Sequence, residues 1–115
     1  MHRADALLFS TPEYAGALPG SFKNLLDWLI GDDHPRSLYE KPVAWINASA
    51  GTGAVNAHAS LRTVLAYAHA TVVDAACAAV PVPRGAVAGG RVTDAGLRAD
   101  IATALATLAS LAVAH

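Results

Sequence analysis

Two short stretches carry residue types suited to holding a ligand. The first is Ser10–Gly20, "STPEYAGALPG". Pro12 and Pro19 stiffen it, Gly16 and Gly20 let backbone approach a ligand closely, and Tyr14 offers an aromatic surface. Its backbone N–H groups can hydrogen-bond the polar edge of a heterocycle without a charged side chain. Glu13 has two open readings: it fixes the loop by accepting backbone N–H bonds, or it touches ligand. The second stretch is Ser49–Gly53, "SAGTG". Its glycines stand at a helix start, where backbone donors favour an electron-rich or anionic group. As a motif "GTGAVN" is half a dinucleotide fingerprint, because Asn56 stands where the third Gly belongs. The chemistry this implies is binding and orienting a flat ligand. No side chain pairs with another as acid, base or nucleophile, so no catalytic residue is nominated.

Other reactive types point nowhere in particular. The five His form no metal set: His58 and His69 are too far apart for one helical turn, and His34 sits in a polar connection. The single Cys77 excludes an intrachain disulfide and a cysteine-based zinc site, and fits a reducing, cytoplasmic compartment. It reads as a small buried hydrophobe. Arg84 and Arg91 are surface residues by default, with an NADPH phosphate as the other reading.

The elements that must position these loops follow from hydrophobic patterning. Asp5–Ser10 and Val43–Asn47 are short apolar runs of the kind found in strands buried on both faces. Phe22, Leu25, Leu26 and Leu29 mark one face of a helix over 19–30. Leu61, Val64, Leu65 and Ala68 mark a second helix, over 55–69. Thr71–Val73 is a third strand, which 78–82 continues or accompanies. Residues 83–91 read as a Gly-containing loop. Thr93 or Asp94 caps a last helix with Leu97, Ile101, Leu105, Leu108 and Ala112 at helical spacing. Trp28 and Trp45 read as core or interface residues. Strand–helix alternation of this kind predicts one α/β domain over 1–115, with a parallel sheet and helices on its faces. The two candidate loops then lie side by side at the carboxyl edge of the sheet, where α/β proteins bind ligands. The first strand would be an apolar edge needing cover from a partner or from further chain.

Composition narrows the partners. Hydrophobic residues make up 54% and charged residues 15%, so the chain folds rather than staying disordered. A net charge of -1 gives no broad basic surface for nucleic acid. The run in "MHRADALLF" is too short for a signal peptide, and Asp74, Pro81, Pro83, Arg84 and Asp100 interrupt the apolar stretches, so no membrane span is expected.

"STPEYAGALPGSFKNLLDWL" also resembles the signature loop of the NADPH-dependent FMN reductase family, which includes quinone, chromate and azo-dye reductases. The match falls at Thr11, Pro12, Glu13, Tyr14, Gly16, Pro19, Gly20, Lys23, Asn24, Asp27 and Trp28. "SAGTGAVNAHASLRTVL" resembles the family's second Gly-containing loop and helix, in register at Ser49, Gly51, Gly53, Leu61 and Arg62. "GRVTDAGL" resembles the segment before its last helix.

The resemblance implies a flavodoxin-like, three-layer sandwich with FMN and NADPH as cofactors. It implies that Thr11, Pro12, Glu13, Tyr14, Ala15, Gly16, Ser49, Gly51, Thr52 and Gly53 contact the flavin. Hydride would pass from NAD(P)H to FMN and on to a small-molecule acceptor: a quinone, flavin, metal oxyanion or azo compound. A homo-oligomer, dimer or tetramer, is implied too. Two departures stand out. Ala15 replaces the family's Asn, and Gly53-Ala54 replaces a double Gly. The family's G-S-x-R-x-x-S-x-N phosphate loop has no counterpart in this sequence, so about three strands and three main helices of the five-stranded fold are expected. The alternative is a non-catalytic relative that serves only as an oligomerisation or interaction module.

Overall fold

The computed structural model describes residues 3–31, 37–49 and 53–114. Gly51, Thr52 and His34 therefore lie outside the described residues. The elements are β1 (Leu7–Phe9), α1 (Gly20–Ile30), β2 (Pro42–Asn47), α2 (Val55–Tyr67), β3 (Thr71–Val72), β4 (Ala78–Ala79), β5 (Val87–Ala88), β6 (Arg91–Val92) and α3 (Ala95–Ala114).

β2 is the centre of the sheet. It pairs in parallel with β1 on one side, Leu7 opposite Val43 and Phe9 opposite Trp45. On its other side it pairs first with β3 and then with β4, both parallel. Those two are successive pieces of one strand, interrupted by a 3-10 turn at Asp74–Ala76. Val73, Val80 and Val82 donate backbone bonds to Val43, Asn47 and Ala48 and keep the course beside β2.

Alternation along β2 makes three layers. Val43 and Trp45 join one core with Leu26 of α1 and Leu61 and Leu65 of α2. Ala44 and Ile46 point the other way, toward Leu108 and Ala104 of α3. Leu26, Leu61 and Leu65 are fully buried, each contributing about 2 kcal/mol of apolar transfer. Trp45 is a core residue, as expected, and the Arg62 guanidinium lies 4.7 Å from its ring centroid.

Several expectations need correction. β1 is not buried on both faces: it is the sheet's edge strand and Leu8 is 37% exposed. Trp28 is not core. It is 74% exposed and Leu25 42%, because the inward stripe of α1 runs through Phe22, Leu26 and Leu29 and leaves 25 and 28 on the outward flank. α2 stops at Tyr67, and His69 takes a left-handed conformation (φ 61°) that closes the helix end, with Ala70 N–H donating to Leu65. Residues 83–91 are more than a loop: β5 and β6 form an antiparallel hairpin, and Gly89 and Gly90 both take positive φ in its two-residue turn.

Asp94, not Thr93, caps α3, its carboxylate accepting the Leu97 N–H at 2.9 Å. Leu105, expected on the buried face, is 46% exposed, because Ala104 takes the inward position with Leu108. α3 is long and apolar enough over Ala95–Ala112 to cross a membrane by length and composition. Arg98 and Asp100 lie within that window, and a core helix of a soluble protein meets the same length and composition. In the fold this helix packs on β2 through Ala104 and Leu108.

Candidate functional site

β1 and β2 run parallel, so the chain leaves both at the same edge of the sheet. Loop 10–19 follows β1, and the loop before α2 follows β2. The structure joins them directly: a Glu13 carboxylate oxygen accepts the backbone N–H of Ala57, in the first turn of α2, at 2.8 Å. The loop-fixing reading of Glu13 thereby has a bond behind it: the carboxylate ties the first loop to the start of α2.

The first loop is built around a tight turn. Tyr14 and Ala17 exchange both backbone hydrogen bonds, at 3.0 and 3.1 Å. Between them Ala15 (φ 51°) and Gly16 (φ 76°) both have positive φ, the signature of a type I′ turn. Asn-Gly is a preferred pair for that geometry. Ala15 therefore stands at a position whose backbone conformation Asn or Gly adopts more readily. The turn lifts Tyr14 into solvent at 62% exposure, and Pro12, Ala15 and Gly16 are exposed with it. Thr11 is buried, and its hydroxyl donates to the Pro12 carbonyl. It shapes the loop from below and offers no surface.

The second loop is held by Asn47, the last residue of β2. Its side-chain oxygen accepts the Ser49 N–H at 3.0 Å, and its amide donates to the Gly53 carbonyl at 2.9 Å. Sequence reasoning passed over Asn47. The available signal was an Asn at a strand end before a Gly-rich loop, a frequent side-chain-closed turn. Ser49 and Gly53 are half-buried and positioned by Asn47.

His58 was another miss. It is buried, and its Nδ1 lies 2.8 Å from the Ala54 carbonyl. A carbonyl only accepts, so Nδ1 donates to it, and Nε2 is buried with no hydrogen-bond partner among the described residues.

These residues suit a flat ring better than a phosphate. Glu13 already occupies the Ala57 amide, which an anion would otherwise approach. The cations on the two following helices are paired, Lys23 with Asp27 at 2.6 Å and Arg62 with Asp74 at 2.7 Å. A groove of about 850 Å³ lies apart from both loops, between β6 and α3, and Arg91 lines it. Cys77 is half-buried, its thiol donating to the Val73 carbonyl; burial pushes the thiol up, against weaker opposing pulls from a backbone hydrogen bond at Trp45 and from Arg62.

The model of the NADPH-dependent FMN reductase family matches residues 1–84, which include both loops and the helices behind them. The chain belongs to this family. Among its relatives, an NAD(P)H-dependent FMN reductase of Pseudomonas aeruginosa is 42% identical over 66 residues, 56% of this chain and 35% of that protein. A 2-hydroxy-1,4-benzoquinone reductase of a Burkholderia species is 43% identical over 65 residues, 56% of this chain and 36% of that protein. The chain therefore spans about a third of the length of the curated relatives it matches. In three dimensions it resembles FerB, a flavoenzyme NAD(P)H:(acceptor) oxidoreductase of Paracoccus denitrificans, with a TM-score of 0.76 and 30% identity over 95% of this chain and 63% of that one. That likeness extends past residue 84, where the family model's match ends.

Proposed function

We propose that this chain takes part in NAD(P)H-dependent reduction of quinone- or azo-type acceptors through FMN, and that its own residues form the floor for the flavin ring. The observation that carries the reading is the Glu13–Ala57 bond, which ties the first family loop to the start of the helix that follows the second. Thr11, Pro12, Tyr14, Ala15, Gly16, Ser49, Gly51, Thr52 and Gly53 would line or shape that surface, with Glu13 and Asn47 holding it. Bound FMN would supply the hydride-accepting and electron-donating chemistry. The protein's part is orientation: a turn fixed by two backbone bonds, an exposed Tyr14 ring and a loop pinned by Asn47. The ring-side fit, with the neighbouring cations already paired, supports a site that reads the isoalloxazine and leaves the phosphate to groups outside the described residues. A homo-oligomer is supported by the exposed Leu25 and Trp28 on one flank of α1, and a reducing, cytoplasmic setting by the lone Cys77.

The test is a titration of the purified chain with FMN and, separately, with riboflavin, following flavin fluorescence and the visible band. Quenching by both, with dissociation constants within about threefold of each other, is expected of a site that reads only the ring. Unchanged flavin fluorescence at high protein concentration would remove the flavin reading. It would leave the second one, an interaction module, which the exposed flank of α1 favours independently.

A further inference from the structure

We propose that Glu13 is a positioning residue which sets flavin affinity by capping α2 across the site, without touching the ligand. The proposal rests on the flavin-ring reading above. Its basis is the start of α2. The first N–H groups of a helix have no intrahelical partner, and a Ser, Thr, Asp or Asn at the cap position usually satisfies one of them. Here the cap position is Ala54, left-handed at φ 57° and with no side-chain oxygen to offer. Counting from Ala54, Ala57 is the third helical residue, and its N–H is one of those unpartnered donors. Glu13 supplies the missing acceptor from 44 residues away. A carboxylate at this end of a helix is also favoured by the helix dipole.

Two consequences follow from the geometry. The first turn of α2 is complete only while loop 10–19 is seated against it. Asn47 ties Gly53, the residue before the cap, to the end of β2. Glu13 and Asn47 thus lock both loops and the helix start into one frame. A ligand stacked across the two loops senses that frame through their spacing. Without Glu13 the spacing loosens, and ligand binding must restore the order the protein had supplied.

The experiment uses the full chain with Glu13→Gln, Glu13→Asp and Glu13→Ala variants. Gln keeps an acceptor oxygen at the same reach, Asp shortens the reach by one methylene, and Ala removes the acceptor. Two readouts run together: amide hydrogen exchange of residues 55–58, and FMN titration by fluorescence. Glu13→Ala is expected to accelerate exchange at Ala57 and weaken FMN binding by about tenfold, with Glu13→Asp in between and Glu13→Gln within about threefold of the parent. If Glu13→Ala does not fold, Glu13→Asp carries the same comparison. Unchanged Ala57 exchange in the Ala or Asp variant overturns the clamp. So does a parent that binds FMN together with a folded Ala or Asp variant that binds it equally well. A parent that binds no flavin defeats the functional reading instead, and the exchange data then decide the clamp alone.

Discussion

Ala15 is a residue with a conformational cost and no visible compensation. It is exposed and adopts φ 51° at the first central position of the Tyr14–Ala17 turn. A non-glycine residue in this region is strained by roughly 1–2 kcal/mol, because Cβ crowds the backbone. Gly16 beside it carries φ 76° without that penalty. Replacing Ala15 with Gly relieves the strain, offset in part by the freedom Gly gains in the unfolded chain. The expected result is a net gain of about 0.5–1 kcal/mol, seen as a melting temperature raised by roughly 2–4 °C. Ala15→Asn should give a gain of the same sign, since Asn tolerates left-handed backbone. A melting temperature unchanged or lowered in both variants would show that the turn does not hold this conformation in solution. At this scale the sequence was readable by type and opaque by contact. Gly16 announced a turn, whereas the meeting of Glu13 with Ala57 and the role of Asn47 depend on which strands lie side by side.

Elements were more legible where their period was long. α1, α2 and α3 each show apolar residues at helical spacing over 11 or more residues, and β2 shows a dense apolar run. The hairpin of β5 and β6 was lost because two-residue strands have no measurable period, although Gly89-Gly90 between Val-Ala and Arg-Val was the cue for its turn. The exposure of Trp28 was lost for a different reason. Residues 22, 25, 26 and 29 form one arc, but which edge of it turns inward depends on where α1 sits against Phe9 and Leu18. The start of α3 was readable, and it offers a test at this scale. Asp94 is the side-chain cap of a 20-residue helix whose inner face completes the second core. Asp94→Ala should cost about 1 kcal/mol, while Asp94→Asn or Asp94→Ser should retain most of the stability. Thermal unfolding followed by circular dichroism checks this, and an Ala variant as stable as the parent would mean that α3 is held by packing alone.

For the molecule as a whole, what matters is how much apolar surface the fold leaves outside. Leu8 on the edge strand, Leu25 and Trp28 on α1, and Leu105 and Leu111 on α3 are all more than a third exposed. Scattered apolar residues are normal on any surface. Leu25 and Trp28 differ in standing one turn apart on a single flank, with the Lys23–Asp27 ion pair on the other side of the helix. A net charge of -1 gives almost no electrostatic barrier to a second copy approaching that flank. Tryptophan is the residue type whose burial most often dominates an interface. The chain should therefore show a concentration-dependent mass above that of one chain in sedimentation equilibrium. Trp28→Glu should raise the dissociation constant by at least tenfold, about 1.4 kcal/mol. Because Trp28 contributes little to the core, the variant should keep the parent's circular dichroism and melting temperature at low concentration. A chain that stays monomeric at about 100 µM would exclude α1 as a self-association surface. Association that Trp28→Glu leaves untouched would move the interface to the edge of β1 or the outer face of α3.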